Sequence, residues 1–245
     1  MKNYKFLIEY DGSRYYGWQR QPDQNTIQGK LENVLGVMCG KEIEVIGAGR
    51  TDAGVHARGM TANAFLEKKS SCEEIRDYMN RYLPDDIAVL EVREASPRFH
   101  ARYNAIGKTY RYICHDGKVK SVFDRKYCCR LEESPDVAAM RRAAELLKGE
   151  HDFRNFCVNP RMKKSTVRRV DRIDIEREGD YLYFTFHGTG FLQNMVRIMV
   201  GTLLEAGCGR MTEEQIRAVL VNPERQKAGP TAPAQGLCLM SVDYD

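Results

Sequence analysis

The chain has 245 residues, of which 42% are hydrophobic and 29% are charged, and its formal net charge is +4. This composition is typical of a globular protein and excludes a disordered chain, and the length allows one large domain or two smaller ones. The sequence has no apolar run long enough to span a membrane and no signal-peptide core after Met1, so we expect a cytoplasmic protein without membrane contact.

The first hundred residues show alternating strand and helix patterns. Apolar residues alternate from Tyr4 to Tyr10, which predicts a strand, and they recur at helical spacing from Ile27 to Met38, which predicts a helix ending at Gly40. The other expected elements are strands at Ile43–Ile46, Met60–Leu66 and Ile87–Val92, and a helix that Ser71 and Glu74 open with a capping box. The order β-α-β-β-α-β is that of a ferredoxin-like unit.

The rest of the chain repeats this order of elements. Lys108–Cys114 reads as a strand with Tyr110 and Tyr112 on one face, and Ser134 is expected to cap a helix that stops before Gly149. Then follow a hairpin of Val167–Glu176 and Tyr181–Phe186, helices at Phe191–Ala206 and Thr212–Val221, and a closing strand at Leu237–Val242. We therefore predict an α/β (α+β) fold with two halves, residues 1–104 and 105–245.

The eight cysteines are scattered along the chain, and none of them forms a C-x-x-C pair. We interpret them as reduced thiols of an intracellular protein, because disulfides belong mainly to oxidising compartments. These spacings do not suggest a zinc site, so we expect no metal.

The stretch Gly47–Ala57 carries one carboxylate, Asp52, among three glycines, with Arg50 before it and His56 after it. A lone carboxylate in a backbone that turns sharply suits a nucleophile, a general base or a metal ligand. Two plainer interpretations compete. A dinucleotide-binding loop would need glycine where Asp52 stands, and a surface turn would use Asp52 to cap a helix.

The segment GRTDAGVHA, residues 49–57, resembles the signature of the tRNA pseudouridine synthase A family. Other segments are similar to the same family, so the resemblance covers nearly the whole chain. They are FLIEYDGSRYYGW (6–18), FHAR (99–102), KTYRY (108–112), HDF (151–153), NMVRIMVG (194–201) and GLCL (236–239). The resemblance implies a pseudouridine synthase fold, with a central mixed sheet and a basic cleft between the two halves.

The resemblance also implies roles for particular residues. Asp52 is the catalytic nucleophile, Tyr110 stacks on the target uracil, and Arg197 pairs with Asp52 and keeps it ionised. Arg50 enters the space that the flipped base leaves, and Leu237 lines the pocket. Read without the resemblance, Tyr110 would be a core residue, and Arg197 would be a costly charge on an apolar helix unless it were paired.

The implied reaction is the isomerisation of uridine to pseudouridine in the anticodon stem-loop of tRNA, at positions 38, 39 and 40 in tRNA numbering. Nothing is oxidised or hydrolysed in this reaction, so we expect no cofactor. The rival function is a non-catalytic RNA-binding protein with two RRM-like halves, although the sequence lacks the RRM signature on its second-half strands.

Two basic clusters favour an RNA partner over a merely solvated surface. The first comprises Arg161, Lys163, Lys164, Arg168, Arg169 and Arg172, and the second comprises Arg93, Arg98, Arg102, Lys108 and Arg111. Five aromatic residues lie near such charges and are candidates for stacking on bases: Tyr15, Tyr16, Trp18, Phe99 and Tyr103.

The resemblance implies a homodimer in which one tRNA reaches across both subunits. Two-fold dimers are the commonest closed assembly, and a single chain of this size offers only a short track for a long tRNA. We expect the interface to involve Val167–Phe186 and the neighbouring helix, because the second half is rich in Leu, Met and Phe.

Overall fold

The computed structural model describes residues 1–67, 70–159, 165–221 and 227–245. The chain forms two compact units, the first made of Met1–Ile106 with Cys238–Asp245 and the second of Gly107–Leu237. The sequence placed the division after residue 104 and assigned the closing strand to the second half. In the structure most of that strand groups with the first unit, because it pairs there with the strand that begins at His56.

The first unit consists of a mixed sheet and two helices. Its elements are β1 (Lys2–Tyr10), α1 (Ile27–Cys39), β2 (Ile46–Gly47), β3 (His56–Leu66), α2 (Cys72–Tyr82), β4 (Ile87–Ala95) and β10 (Leu237–Asp243). The strand order is β4-β1-β3-β10, with β2 beside β3. β1 runs antiparallel to both of its neighbours, whereas β10 runs parallel to β3, with Cys238 opposite His56.

Local sequence signals account for most elements of this unit. The alternation in β1 buries Tyr4, Phe6 and Ile8, as predicted for a strand with one face on the core. Gly40 ends α1 in the left-handed region with φ of 67°, where glycine carries no steric cost. The capping box of Ser71 and Glu74 is confirmed, since each side chain accepts a hydrogen bond from the other residue's backbone N–H.

The strand expected at Ile43–Ile46 is wrong in extent, because only Ile46–Gly47 pairs with β3. Side chains of α1 take up the backbone groups that would otherwise form the ladder. Val45 donates its N–H to Glu32 Oε1 at 3.1 Å, and its carbonyl accepts from Gln28 Nε2 at 3.0 Å. The strand expected at Met60–Leu66 is longer than predicted and begins at His56.

The second unit has a four-stranded antiparallel sheet that one short parallel strand extends. Its elements are β5 (Gly107–His115), β6 (Cys129–Arg130), α3 (Val137–Leu147), β7 (Gly149–Asp152), β8 (Val167–Glu178), β9 (Tyr181–Gly188), α4 (Met195–Gly207) and α5 (Glu213–Val221). The strand order is β5-β9-β8-β7, and β6 pairs parallel with β5. The predicted hairpin is confirmed, and both of its strands extend two residues further than expected.

Three sequence expectations for this unit need correction. The α3 cap is Asp136, whose carboxylate accepts from the N–H groups of Ala138 and Ala139, whereas Ser134 donates to Asp116. Helix α4 begins at Met195 instead of Phe191, because Asn194 adopts a left-handed conformation with φ of 60°. The strands β6 and β7 were not expected. Both units combine a β-sheet with α-helices, so the predicted α/β (α+β) class is confirmed.

Candidate active site

Asp52 lies in the loop between β2 and β3, residues 48–55, which we call the Asp52 loop. The Asp52 side chain is half-buried, and Arg50 is exposed in the same loop. The chain enters strand β3 directly after the loop, so the interpretation of Asp52 as a helix cap is wrong. The loop therefore holds a partly shielded carboxylate next to a cation that reaches solvent.

Two glycines of the segment after β1 pack against the backbone of the Asp52 loop. A Cβ at Gly12 would overlap the carbonyl oxygen of Val55, and a Cβ at Gly17 would lie 2.6 Å from the carbonyl oxygen of Thr51. Gly17 also has φ of +90°, which L side chains rarely adopt. Only residues without a side chain permit this backbone-to-backbone contact, which fixes the loop on both sides of Asp52.

Hydrogen bonds hold the same loop to the same segment. Trp18 donates its N–H to the Thr51 carbonyl at 3.0 Å, and Gly54 donates its N–H to the Tyr15 carbonyl at 3.3 Å. The Tyr10 hydroxyl and Thr51 Oγ1 are 2.8 Å apart in a buried hydrogen bond. Inside the loop, Val55 donates its N–H to the Asp52 carbonyl at 3.2 Å. Together these bonds leave the Asp52 backbone little conformational freedom.

His56, the first residue of β3, belongs to the supporting structure. Its side chain is buried, and its Nδ1 accepts the N–H of Gly12 at 3.1 Å. The Asp11 carboxylate lies 3.1 Å from the same nitrogen. His56 thus contacts Asp11 and Gly12, and Gly12 packs against the Asp52 loop at Val55.

Aromatic residues near the loop have different roles from one another. Tyr15 and Trp18 are 3% and 2% exposed, so they are core residues and not platforms for bases. Burial is the largest cause that raises the pKa of Tyr15 to about 12, and its hydroxyl donates to Asp86. Tyr16 and Tyr103 are exposed and stay candidates for stacking, whereas Phe99 is half-buried and packs on Tyr244.

Tyr110 and Tyr112 lie on the same buried face of β5, as predicted. The Tyr110 ring meets Phe191 edge-on, with 5.3 Å between the ring centroids. Tyr112 is fully buried, its hydroxyl donates to the Pro233 carbonyl at 2.8 Å, and burial raises its pKa. Tyr112 is therefore a structural residue, and Tyr110 is the more accessible of the two phenols.

Arg197 projects from the first turns of α4, and two fixed acceptors orient its guanidinium. Nε donates to the Ala232 carbonyl and Nη1 donates to Asn194 Oδ1, each at 2.7 Å. Ala232 returns a bond from its N–H to the Arg197 carbonyl at 3.1 Å. The Arg197 side chain is thus held by Asn194 and by Ala232, which belongs to the described segment 227–245.

Helix α4 approaches that segment closely at one glycine. A Cβ at Gly201 would overlap the carbonyl oxygen of Pro230. The buried Thr202 side chain accepts the N–H of Gly229 at 3.0 Å. Leu237, the first residue of β10, is 5% exposed.

The predicted site residues divide between the two units. Asp52 and Arg50 share the Asp52 loop of the first unit, while Tyr110, Arg197 and Leu237 belong to the second. Gly12, Gly17 and Gly201 were not predicted as positioning residues. Their signal was present, since each glycine stands inside a segment that carries the family resemblance.

The first basic cluster is only partly described, since Arg161, Lys163 and Lys164 lie outside the described residues. Arg169 pairs with Asp171 at 2.7 Å, and Arg172 pairs with Asp174 at 3.1 Å. Internal carboxylates therefore offset some of this charge. In the second cluster, Arg93 pairs with Glu91.

Within the described ranges, no group of three or more His, Cys, Asp or Glu residues is arranged to hold a metal ion. The same ranges contain no helix that combines the length and apolar character of a membrane span.

Comparison with known proteins identifies close relatives. Residues 7–104 and 143–245 match a family model described as tRNA pseudouridine synthase. Over 245 residues and the full length of both chains, the sequence is 45% identical to tRNA pseudouridine synthase A of Bacillus sp. (strain KSM-64). It is 46% identical over 242 residues to tRNA pseudouridine synthase A of Moorella thermoacetica, covering 98% of each chain. The protein of that name from Geobacter sulfurreducens is 43% identical over 244 residues, covering 100% of each chain.

Proposed function

Because the chain belongs to the tRNA pseudouridine synthase family, it is an isomerase that acts on tRNA, and we propose that Asp52 is its nucleophile. The net reaction moves uracil from an N1 to a C5 linkage on the same ribose. The N1–C1′ bond breaks, a C5–C1′ bond forms, C5 loses its proton to solvent and N1 gains one. Substrate and product are isomers, so the balance needs no oxidant and no second substrate.

The observation that supports Asp52 most directly is the way its loop is held. The packing of Gly12 and Gly17 and the hydrogen bonds to Thr51 restrain the backbone on both sides of the carboxylate. A nucleophile restrained before the substrate arrives avoids part of the entropic cost of the reaction. A half-buried carboxylate is also less hydrated, which favours attack on an electrophilic carbon.

The target uridine must leave the base stack before its glycosidic bond becomes accessible, so the reaction requires base flipping. Asp52 then forms a covalent bond either to the ribose anomeric carbon or to the uracil ring. After the glycosidic bond breaks, the uracil turns so that C5 faces the ribose, the C5–C1′ bond forms, and the bond to Asp52 breaks to release the carboxylate. In this proposal Arg50 fills the position that the flipped base leaves, which suits an exposed and flexible cation.

Three residues of the second unit also have roles in the proposed mechanism. Tyr110 stacks on the flipped uracil, and Leu237 gives the pocket an apolar wall. Arg197 pairs with the Asp52 carboxylate and favours its ionised form. The bonds from Arg197 to Ala232 and Asn194 support this role, because they restrict the guanidinium to a few orientations.

The proposed substrate region is the anticodon stem-loop, with the three successive uridine positions named above as targets. Phosphate contacts supply much of the affinity, and each neutralised phosphate releases counterions. We expect tRNA binding to weaken steeply with salt. Replacing Lys163, Lys164, Arg168 and Arg169 with glutamine should flatten the slope of log K against log salt by about 0.7–0.9 for each lost contact. An unchanged slope would mean that this cluster is only a solvated surface.

We also propose that the protein is cytoplasmic, where tRNA is found, and that it works as a homodimer. The hairpin of β8 and β9 and the neighbouring helix are the proposed interface. Light scattering over a concentration series tests the assembly. A mass near 28.1 kDa in fully active protein at micromolar concentration would contradict it.

The decisive experiment follows tritium release from unmodified tRNA labelled at C5 of uridine. Asp52→Asn keeps the shape of the side chain but removes its nucleophilicity, so release should fall by at least about a thousandfold with little change in tRNA affinity. Glu44→Gln removes an exposed carboxylate shortly before the same loop and should release label like the wild type. Activity of the Asp52 variant within about tenfold of wild type would overturn its role. Tight binding by the wild type without release would support the non-catalytic alternative.

A further inference from the structure

The segment that follows Asp116 and ends with β6, residues 117–130, is rich in positive charge. It has five cationic side chains, Lys118, Lys120, Arg125, Lys126 and Arg130, and one carboxylate, Asp124. We call it the basic loop. It lies wholly within the second unit and outside residues 7–104 and 143–245, which match the family model.

The basic loop is anchored at its base. The Asp124 carboxylate accepts hydrogen bonds from the Ser121 hydroxyl at 2.6 Å and from the Tyr181 hydroxyl at 2.5 Å. These bonds, the Ser121 bond most of all, hold the pKa of Asp124 below its usual range. The backbone closes a short 3₁₀ turn, in which Tyr127 donates its N–H to the Asp124 carbonyl at 2.7 Å. The loop therefore keeps a fixed shape, and its single carboxylate serves to anchor it.

Apolar side chains project from this anchored loop into solvent. Phe123 is 91% exposed, and Val119 is 81% exposed. An aromatic ring with this exposure is accessible to a partner, and exposed apolar groups with a charged rim are typical of binding surfaces. The combination of a flat ring with neighbouring positive charges suits single-stranded nucleic acid, in which unpaired bases stack on rings while phosphates meet cations.

A cavity of about 390 Å³ lies beside the basic loop. Its lining includes His115, Lys120, Ser121, Arg125, Cys128 and Arg130. His115 and Cys128 are buried, whereas the cations are exposed. The volume lies within the range of about 300–1,000 Å³ for small-molecule sites, so it has room for one nucleotide. The basic loop thus offers a largely apolar recess with cations at its edge, and it carries an exposed aromatic ring.

We propose that the basic loop is a second tRNA-binding surface that holds an unpaired nucleotide away from the reacting uridine. Phe123 stacks on its base, Lys118, Lys120 and Arg125 contact the adjoining phosphates, and the cavity accepts a neighbouring nucleotide. The proposal rests on the proposed function, since it takes tRNA as the ligand. The loop contributes affinity and no reacting group.

A pair of aromatic variants tests the stacking contact. Phe123→Ala should weaken the binding of unmodified tRNA, measured by fluorescence anisotropy, by about tenfold, because each stacked base contributes substantially to affinity. Tyr82→Ala removes another exposed ring, on α2 of the first unit, and should change the affinity by less than twofold. Equal affinities of the two variants would overturn the stacking role.

A pair of charge variants tests the phosphate contacts. Lys118→Gln with Lys120→Gln should reduce the slope of log K against log salt by about 1.5, since two phosphates lose their cations. Arg142→Gln with Lys148→Gln removes the same net charge from side chains that pair with Glu213 and Glu145, and should leave the slope unchanged. The same slope in both double variants would overturn the proposal.

Tritium release and light scattering separate this proposal from its rivals. In the Phe123 variant, kcat at saturating tRNA should stay within about twofold of wild type while the Kd rises. A lower kcat with an unchanged Kd would overturn the proposal. So would a change in molecular mass without a change in Kd, because the ring would then belong to an interface between two copies. If the wild type released no tritium while Phe123→Ala still weakened binding, the proposed function would fail and the basic loop would stand as an RNA site.

Discussion

The Asp52 loop and helix α4 each present a charged side chain, but they restrain it in different ways. Asp52 stands in irregular backbone that Gly12 and Gly17 contact from the segment after β1. Arg197 stands on a regular helix, and its own guanidinium bonds to Ala232 and Asn194 help to fix it. In the loop the backbone is restrained, whereas on the helix the side chain itself is restrained.

The difference follows from the length of the two side chains. Aspartate has few rotatable bonds, so fixing the backbone nearly fixes the carboxylate. Arginine is long and loses much conformational entropy when it is ordered, so its position must be defined near the guanidinium. Both regions nevertheless use glycine for close backbone contact, since Gly201 meets Pro230 as Gly12 meets Val55. Substitutions at the two regions should therefore affect catalysis and stability in different proportions.

Arg197→Met should produce the largest effect on catalysis after loss of Asp52 itself. It removes the proposed charge partner of the nucleophile, so tritium release should fall by about a hundredfold, in line with the loss of one fixed donor from an active site. The free energy of unfolding should change by less than about 2 kcal/mol in either direction, because methionine fills the same space but leaves the Ala232 carbonyl without the guanidinium.

Arg141→Met is the matched control for this variant. Arg141 lies on α3 and donates from Nε and Nη2 to the Ile175 carbonyl at 3.0 and 2.7 Å, so its loss also removes a guanidinium bond to a carbonyl. Tritium release in this control should stay near the wild-type rate. If the two variants released tritium at the same rate, Arg197 would be a structural residue and would not pair with Asp52.

Gly17→Ala tests the backbone contact behind Asp52. The added methyl group would lie 2.6 Å from the Thr51 carbonyl oxygen, and the backbone here has a φ of +90°, which alanine rarely adopts. We expect the free energy of unfolding, measured in urea, to fall by at least about 3 kcal/mol, and tritium release to fall about tenfold as Asp52 shifts.

Gly40→Ala isolates the conformational part of this effect. Gly40 also has positive φ, of +67°, but no neighbouring atom lies within 4 Å of an added Cβ. Its substitution should cost about 1–2 kcal/mol and leave the rate unchanged. If both alanine variants lost the same stability and kept full activity, close packing on the Asp52 loop would have no part in catalysis.

Elements with a strong local pattern could be predicted from the sequence, and those that depend on distant partners could not. The alternation in β1 and the capping box of α2 arise from neighbouring residues, and the structure confirms both. The shortened β2 depends on side chains of α1 that bond to Val45, and no local pattern reveals such a competition. The parallel pairing of β10 with β3 likewise joins residues that lie far apart in the sequence, such as Cys238 and His56.

The candidate site shows the same division. The motif around Asp52 predicts a nucleophile, a general base or a metal ligand, because a lone carboxylate among small residues limits the possible roles, and its catalytic role stays a prediction. The burial of Tyr15 and Trp18 could not be read, because it results from tertiary packing of an aromatic-rich segment that looks like a surface loop. The contact of Gly12 with Val55 is tertiary as well, so the sequence indicates the glycines but not what they touch.

Two buried threonines allow the same substitution to be compared in the Asp52 loop and on helix α4. Thr51 Oγ1 bonds to the Tyr10 hydroxyl at 2.8 Å and holds the Asp52 loop, while Thr202 Oγ1 accepts the Gly229 N–H at 3.0 Å and holds the segment that bonds Arg197. Valine has nearly the same shape without the hydroxyl, so each Thr→Val variant should cost about 1 kcal/mol in the free energy of unfolding. If the two variants lose similar free energies of unfolding, the threonine hydroxyl bonds of the loop and of the helix have similar strength. The two regions would then differ in geometry alone.

A double-mutant cycle assigns the Thr51 effect to its partner. Combined with Tyr10→Phe, the Thr51→Val change should show a coupling of about 1 kcal/mol, because either substitution alone already removes the bond. Thr202 should show no coupling with Tyr10→Phe, since these residues belong to separate units. A coupling below about 0.3 kcal/mol for the first pair would mean that backbone contacts alone hold the loop. Asp52 would then depend on Gly12 and Gly17, and the hydroxyl bond would have no part in positioning it.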